Sequence, residues 1–155
     1  MQIKVETAYS PDINELVQMR IDYLTEDYGS LTEVQSEKIR NQLPVYYQNH
    51  LNKDLFVYVV KPEKIVSCCF LLVSEKPANP SFINGKTGTV LNVYTKPEFR
   101  KKGFAGKIME FLISEAKKMN LDFIELKATE NGYNLYKSVG FEDAFSKYHN
   151  MKIVL

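Results

Sequence analysis

The chain has 155 residues, about the size of one average domain, and it can bury one substantial hydrophobic core. Its composition is 45% hydrophobic and 25% charged, and the formal net charge is only +1. This balance argues against a general nucleic-acid binder, because affinity for a polyanion needs many clustered cations. No apolar stretch approaches the length that spans a membrane, and the first residues lack the pattern of a signal peptide, so we expect a cytoplasmic protein.

The first part of the chain predicts a strand and two helices. Residues 2–7 alternate in character, which is typical of a strand. Pro11 follows a serine and precedes apolar residues at helical spacing, a pattern typical of a helix start. Thr32 and Gln35 have the spacing of a capping box, which predicts the start of the second helix. Pro44 is expected to kink or end that helix.

The middle of the chain predicts three strands. Residues 55–60, 65–74 and 89–94 are rich in β-branched and aromatic side chains. The second of these strands contains Cys68 and Cys69, and neighbours in a strand point to opposite faces, which makes them poor partners for a disulfide. We interpret both as small buried residues rather than as catalytic thiols.

The last third predicts a helix that begins at Gly103, a strand at residues 123–127 and a short helix at residues 133–138. Two short strands are predicted at residues 141–145 and 151–155. The whole order predicts one domain, residues 1–155, of the mixed α/β (α+β) class. In this fold about four helices flank a mostly antiparallel central sheet.

The segment between the third middle strand and the next helix has the chemistry of an anion site. A helix N-terminus leaves unpaired N–H groups and carries a partial positive charge, so a phosphate group meets ready donors there. Gly103 allows the backbone to approach a ligand closely. Arg100, Lys101 and Lys102 add positive charge at the end of the helix where the dipole does not favour cations, which makes a purely structural role less favourable.

Two motifs resemble those of the Gcn5-related N-acetyltransferase (GNAT) family. The family's pyrophosphate loop reads Gln or Arg, two residues, Gly, one residue, then Gly or Ala, and residues 100–105 match it. The family's Leu-Tyr-x-x-x-Gly-Phe block matches residues 135–141, and the predicted element order also matches the family fold. The resemblance implies direct transfer of an acetyl group from acetyl-coenzyme A (acetyl-CoA) to a primary amine of a small molecule or peptide, through a tetrahedral intermediate.

The resemblance also implies which residues form the site. The strand backbone would pair with the pantetheine arm and the loop amides would hold the pyrophosphate, while a looser match adds Asn131 or Asn134. Tyr136 is the implied general acid, since a phenol with a pKa near 10 is similar in acidity to the thiol product. No metal is expected. The implied cofactor-binding residues are Val93, Tyr94, Thr95, Arg100, Lys101, Lys102, Gly103, Phe104, Ala105, Gly106 and Asn131.

The general base and the acceptor stay open at this point. Candidates for the base are water and four side chains, Glu26, Asp27, Asn92 and His149. Several aromatic residues either line an acceptor pocket or pack in the core: Tyr23, Tyr28, Tyr46, Tyr47 and Phe82. We expect no nucleic-acid or membrane partner, and the resemblance is compatible with a homodimer.

Two other functions compete with catalysis. A non-catalytic acyl-CoA-binding regulatory module would keep the loop and bind the cofactor without releasing thiol. A phosphate- or nucleotide-binding domain is disfavoured, because neither the Walker pattern nor the dinucleotide glycine pattern occurs in the sequence. The tyrosine of the second motif favours the enzyme.

Overall fold

The computed structural model describes residues 2–155, in which five β-strands form one sheet. The strands lie side by side in chain order, and all neighbours are antiparallel except the last pair. The strands are β1 (Glu6–Thr7), β2 (Leu55–Val60), β3 (Ser67–Glu75), β4 (Lys86–Thr95) and β5 (Ile124–Glu125). The predicted mixed and mostly antiparallel sheet is confirmed, although β1 and β5 are shorter than the strands predicted at residues 2–7 and 123–127.

Within the same residues, four α-helices flank the sheet. They are α1 (Ile13–Tyr28), α2 (Glu33–His50), α3 (Phe104–Lys118) and α4 (Tyr133–Ser138). A 3-10 turn at Ser10–Asp12 leads into α1, with Pro11 at its start. A second 3-10 turn, Pro97–Phe99, follows β4. Because α3 connects β4 to β5, these two strands run parallel.

The sheet is buried on both faces, and the helices divide between them. Along β2, Val57 and Val59 pack in one cluster with Leu16 of α1 and Leu43 of α2. The intervening Tyr58 packs in a second cluster with side chains of α3 and α4. Successive side chains of a strand point to opposite faces, so α1 and α2 cover one face while α3 and α4 cover the other.

Helix α2 begins at the predicted capping box. The Gln35 backbone N–H donates to the Thr32 hydroxyl at 3.1 Å, and the Thr32 N–H donates to the Gln35 side-chain oxygen at 3.0 Å. The expectation that Pro44 could end this helix is wrong, because α2 continues well past it. Leu43 and Tyr47 on either side of the proline are buried, so core packing compensates for the hydrogen bond that proline cannot make.

Strand β4 contains a bulge. Cys68 of β3 lies opposite Tyr94, whereas Phe70 lies opposite Leu91, so β4 has one residue more than β3 between these pairs. Asn92 lies in this segment with φ of 51°, a left-handed conformation that asparagine adopts more readily than most residues. The bulge turns the Asn92 side chain toward the α1 and α2 face, where its amide donates to the Cys68 sulfur at 3.5 Å.

Strands β4 and β5 pair over a short distance only. Gly88 lies opposite Ile124 and Thr89 lies opposite Glu125, and no later residue of β4 pairs with β5. Among residues 2–155, the edge of β4 from residue 90 to Thr95 therefore has no strand partner on the β5 side. The two strands separate there and leave room for a ligand.

The exposed tail, residues 144–155, forms no strand, and the predicted strands at residues 141–145 and 151–155 are therefore wrong. Just before the tail, Asp143 accepts a hydrogen bond from the Tyr133 hydroxyl of α4 at 2.7 Å, which holds the chain against α4. A strand needs a hydrogen-bonding neighbour, and no strand of residues 2–155 lies alongside the tail. Every tail residue is exposed to solvent.

Candidate active site

A cavity of about 560 Å³, here called the loop cavity, lies beside the loop between β4 and α3. Tyr136 lines it, and so do all the predicted cofactor-binding residues except Lys102. These residues are Val93, Tyr94, Thr95, Arg100, Lys101, Gly103, Phe104, Ala105, Gly106 and Asn131. The fold therefore brings the two sequence motifs to one cavity. Sequence reasoning missed four further lining residues, which are Phe99, Thr129, Gly132 and Leu135.

The loop backbone offers free hydrogen-bond donors. The N–H groups of residues 101–106 make no hydrogen bond to any acceptor within residues 2–155. Lys101 has φ of 62° and Gly103 has φ of 83°, so the backbone passes twice through the left-handed region before α3 begins. Free N–H groups at the positive end of a helix form a suitable site for a phosphate group.

Arg100 connects the loop to two other elements. Its Nε donates to the Thr95 carbonyl oxygen at 2.8 Å, and its Nη2 donates to Glu26 Oε2 of α1 at 2.6 Å. The guanidinium also lies 5.4 Å from the centre of the Tyr94 ring. The hydrogen bond to the Glu26 carboxylate raises the pKa of Arg100. The side chain thus positions the loop against β4 and α1, and the backbone N–H groups remain the principal donors.

Three other predicted residues lie in different surroundings. Lys102 does not line the loop cavity, and its Nζ lies 5.5 Å from the centre of the Phe99 ring. Of the two loosely matched asparagines, Asn131 lines the loop cavity and Asn134 does not. Lys102 can therefore contribute its backbone N–H to the site but not its ammonium group in this conformation.

Tyr136 lies on α4 at the base of the loop cavity and is 9% exposed. Its ring packs against Phe141, with 6.0 Å between ring centres, and its hydroxyl makes no hydrogen bond within residues 2–155. Burial raises the pKa of Tyr136 to about 12. The phenol is therefore neutral at physiological pH and holds a proton that it can donate, but it is a weaker acid than the sequence suggested.

A second cavity of about 680 Å³, here called the sheet cavity, occupies the gap between α1, β4 and β5. It shares five lining residues with the loop cavity: Tyr23, Asp27, Val93, Thr129 and Tyr136. Burial and the Asp27 carboxylate raise the pKa of Tyr23, so both phenols at this junction stay protonated. The junction allows two ligands to meet, one from each cavity.

The structure separates the candidates for the general base. Asp27 lies at the junction, and Glu26 lines the loop cavity but is paired with Arg100. Asn92 is buried and accepts a hydrogen bond from Arg20 at 3.2 Å. His149 lies in the exposed tail and lines neither cavity. Asp27 is therefore the one charged candidate that reaches the junction without an ion pair within residues 2–155.

The aromatic residues that were candidates for lining an acceptor pocket fall into two groups, those that line the sheet cavity and those that pack elsewhere. Tyr23 and Tyr28 line the sheet cavity. Tyr46 and Tyr47 pack in the α1 and α2 core, and Phe82 packs edge-on against another aromatic ring at 6.2 Å. Only the first pair could contact a ligand of the sheet cavity.

The two cysteines are free and buried, as the sequence suggested. Burial raises the pKa of Cys68 to about 12 and that of Cys69 well above its usual value, so neither is a reactive thiolate at physiological pH. Among residues 2–155, no cluster of three or more His, Cys, Asp or Glu side chains could hold a metal ion. Over the same residues, no helix is both long enough and apolar enough to cross a membrane.

Comparison with known proteins gives one family. The model of the acetyltransferase (GNAT) domain matches residues 52–143, which run from β2 past α4 and include both motifs. No curated protein matches the sequence significantly.

Solved structures resemble almost the whole chain. A predicted acetyltransferase from Clostridium acetobutylicum, solved with acetyl-CoA, is 26% identical with a TM-score of 0.83, and the match covers 97% of this chain and 96% of that one. A GCN5-related N-acetyltransferase from Ralstonia eutropha is 22% identical with a TM-score of 0.78, over 97% and 99%. Glucosamine-6-phosphate N-acetyltransferase from Arabidopsis thaliana is 17% identical with a TM-score of 0.67, also over 97% and 99%. The last two similarities concern the fold alone.

Proposed function

Because the chain belongs to the GNAT family of acetyltransferases, we propose that it transfers the acetyl group of acetyl-CoA directly to a primary amine of a small molecule or peptide. It is an N-acetyltransferase, and acetyl-CoA is its acetyl donor. The junction between the loop cavity and the sheet cavity carries the proposal. A thioester in one cavity and an amine in the other would be held side by side there, which removes much of the entropic cost of their encounter.

The loop cavity suits the acetyl donor in two respects. The free N–H groups of residues 101–106 would bind the pyrophosphate, and Gly103 leaves the approach to them open, since a Cβ there would meet only the end of Ile3 at 4.0 Å. The unpaired edge of β4, including Val93 and Thr95, would bind the pantetheine arm through its backbone groups. The thioester would then lie near the junction.

The reaction needs one bond formed and one broken. The neutral amine attacks the thioester carbon to form the N–C bond, and the carbonyl oxygen becomes an oxyanion in a tetrahedral intermediate. A free N–H on the edge of β4 near Val93 would stabilise that oxyanion. The intermediate then expels the thiolate as the C–S bond breaks, and the proton lost by the amine balances the proton gained by the sulfur.

Tyr136 would act at the departing sulfur. Its pKa of about 12 exceeds the usual thiol value of about 8.5, so complete transfer of its proton costs about 5 kcal/mol. We therefore assign Tyr136 a hydrogen bond that stabilises the thiolate as it forms, while Tyr136 keeps its own proton and the released thiolate takes a proton from solvent. This role differs from the matched acid that the sequence suggested.

Asp27 would take the proton from the amine. It lies at the junction, where a carboxylate also favours binding of the ammonium form that predominates in solution. A water molecule held by Asp27 could carry the proton.

The direct test is an assay of thiol release from acetyl-CoA across a panel of primary amines, with the product identified by mass spectrometry. We expect thiol release that depends on both substrates and a product heavier by one acetyl group. Tight binding of acetyl-CoA without thiol release for any amine would instead support the non-catalytic acyl-CoA-binding module.

A further inference from the structure

An unpaired cation lies in the sheet cavity. Arg20 of α1 lines that cavity and is half-buried, and no carboxylate of residues 2–155 lies within 4 Å of its guanidinium. Its Nη1 donates to Asn92 Oδ1 at 3.2 Å, and the guanidinium lies 5.9 Å from the centre of the Tyr23 ring. These contacts fix the side chain but leave most of its five N–H donors free.

Arg20 places a charge on the apolar side of α1 with no carboxylate partner within residues 2–155. It lies between Leu16 and Leu24 at spacings of four residues, so it interrupts the apolar stripe of α1. Partial removal of a charge from water is unfavourable, so an anion bound beside Arg20 would offset that cost. The bulge in β4 contains Asn92, and the hydrogen bond from Arg20 to Asn92 connects α1 to β4 at this point.

The sheet cavity has opposite charges at its two ends along α1. Arg20 and Asp27 are seven residues apart, so they lie on one face of the helix and about 10 Å apart along its axis. Tyr23 lies between them. Glu125 and Lys127 on the β5 side add one charge of each sign to the lining. A ligand with a cation at one end and an anion at the other would match this arrangement.

On the basis of the proposed function, we infer that the acceptor is an amine that also carries an anionic group, and that Arg20 binds that anion. The amine would lie at the Asp27 end, where the two cavities meet, and the carboxylate or phosphate would lie at the Arg20 end. A guanidinium binds either anion through paired N–H groups.

The test compares amines that differ only in charge. Thiol release is measured with 4-aminobutyrate against 4-aminobutyramide, and with 3-aminopropyl phosphate against 3-aminopropanol. We expect kcat/KM for one anionic amine to exceed that of its neutral partner by about 10- to 100-fold, mostly through KM. The pair with the larger ratio identifies the anion as carboxylate or phosphate.

Variants assign the effect to Arg20. Arg20→Gln should reduce the anionic-to-neutral ratio to near 1, and Arg20→Lys, which keeps the charge but loses the paired donors, should give an intermediate ratio. Arg40→Gln removes the same charge from an exposed site on α2 and should leave the ratio unchanged. Equal rates for both members of each pair, or a ratio that survives in Arg20→Gln, would overturn the inference.

A binding measurement separates this inference from the proposed function. Calorimetric titration of 4-aminobutyrate and 3-aminopropyl phosphate into the protein saturated with coenzyme A requires no turnover. Binding that is lost in Arg20→Gln supports the anion site even if no amine releases thiol, in which case the proposed function alone fails. Turnover of neutral amines without any Arg20-dependent binding of the anions overturns the anion site alone.

Discussion

At the scale of single residues, Tyr136 shows how burial changes a chemical role. The phenol is nearly enclosed by the core, and its pKa of about 12 keeps it protonated over the whole physiological range. A proton donor that never ionises in this range cannot set the pH dependence of the reaction. It can still lower the barrier, because a hydrogen bond to a developing thiolate is stronger than one to the neutral thioester.

Tyr136→Phe should lower kcat by roughly 10²- to 10³-fold, the loss expected when one hydrogen-bond donor to a developing negative charge is removed, and should leave acetyl-CoA affinity unchanged. Steady-state kinetics and calorimetry would measure the two quantities. Tyr133→Phe is the matched control, since Tyr133 lies on the same helix but its hydroxyl bonds to Asp143 outside both cavities.

The pH dependence of activity tests whether Tyr136 stays protonated. Between neutral pH and pH ~11, activity should show no loss that depends on the Tyr136 hydroxyl, because the raised pKa keeps it protonated below about 12. An alkaline decline near pH 10 that disappears in Tyr136→Phe would contradict the account of its environment.

At the scale of elements, the meeting of β4 and β5 determines the shape of the site. The strands pair at Gly88 and Thr89 and then separate to form the sheet cavity. A Cβ at Gly88 would lie 2.7 Å from Leu71 Cδ1 and 3.0 Å from Ile124 Cγ2, so the close approach of β5 requires a glycine there.

Gly88→Val should therefore lower the free energy of unfolding by about 1–3 kcal/mol, as overpacking of a core does. Urea denaturation would measure the loss. Gly106→Ala is the control, because its Cβ would meet Leu135 at an ordinary 3.8 Å and alanine favours the helical conformation. If Gly88→Val were as stable as the wild-type chain, the close packing of β5 on β4 would be contradicted.

Elements with local signals could be predicted from the sequence, whereas those that need a distant partner could not. The capping box at Thr32 and the short helix α4 depend on neighbouring residues, and both predictions are confirmed. The strand predicted at residues 151–155 had the right side-chain pattern, but strand formation depends on a neighbour that the pattern does not supply.

The residues of the candidate site also divide into those with a local sequence signal and those that only the fold brings together. The loop at residues 100–106 is a continuous motif and could be predicted, whereas Thr129 and Arg20 reach the sheet cavity only through the fold. Two sequence signals could have helped. Asn92 is a poor strand former within a β-branched run, and Arg20 interrupts an apolar helical stripe.

At the scale of the whole molecule, several buried groups make stability sensitive to alkali. Burial raises the pKa of several neutral acids in the native state, and those most affected are Tyr47, Tyr58, Tyr136, Cys68 and Cys69. Above pH ~8.5 the unfolded chain begins to lose these protons while the native chain retains them. The native state then binds more protons than the unfolded state, so stability falls as pH rises.

The free energy of unfolding should therefore be highest below pH ~8.5 and fall steadily from there to pH ~11, by up to about 1.4 kcal/mol per pH unit for each group that ionises only in the unfolded chain. Urea denaturation at a series of pH values measures this slope. A stability that stays constant to pH ~11 would mean that these side chains are not buried as described.

The proposed function depends on binding of acetyl-CoA by the loop before α3. Calorimetric titration with acetyl-CoA measures this binding, with ATP as the competing phosphate ligand and Gly103→Glu as the variant. Gly29→Glu is the matched control, since Gly29 has φ of 84° against 83° for Gly103 and lines neither cavity. Both variants therefore add the same charge at a glycine with a positive φ, and the two positions differ in ψ, which is −37° at Gly29 and 9° at Gly103.

We predict micromolar binding of acetyl-CoA to the wild-type chain and to Gly29→Glu, clearly tighter than binding of ATP. Binding should be lost in Gly103→Glu, although circular dichroism should show that the variant remains folded. Unchanged affinity in Gly103→Glu, or no binding of acetyl-CoA to the wild-type chain, would contradict this role of the loop.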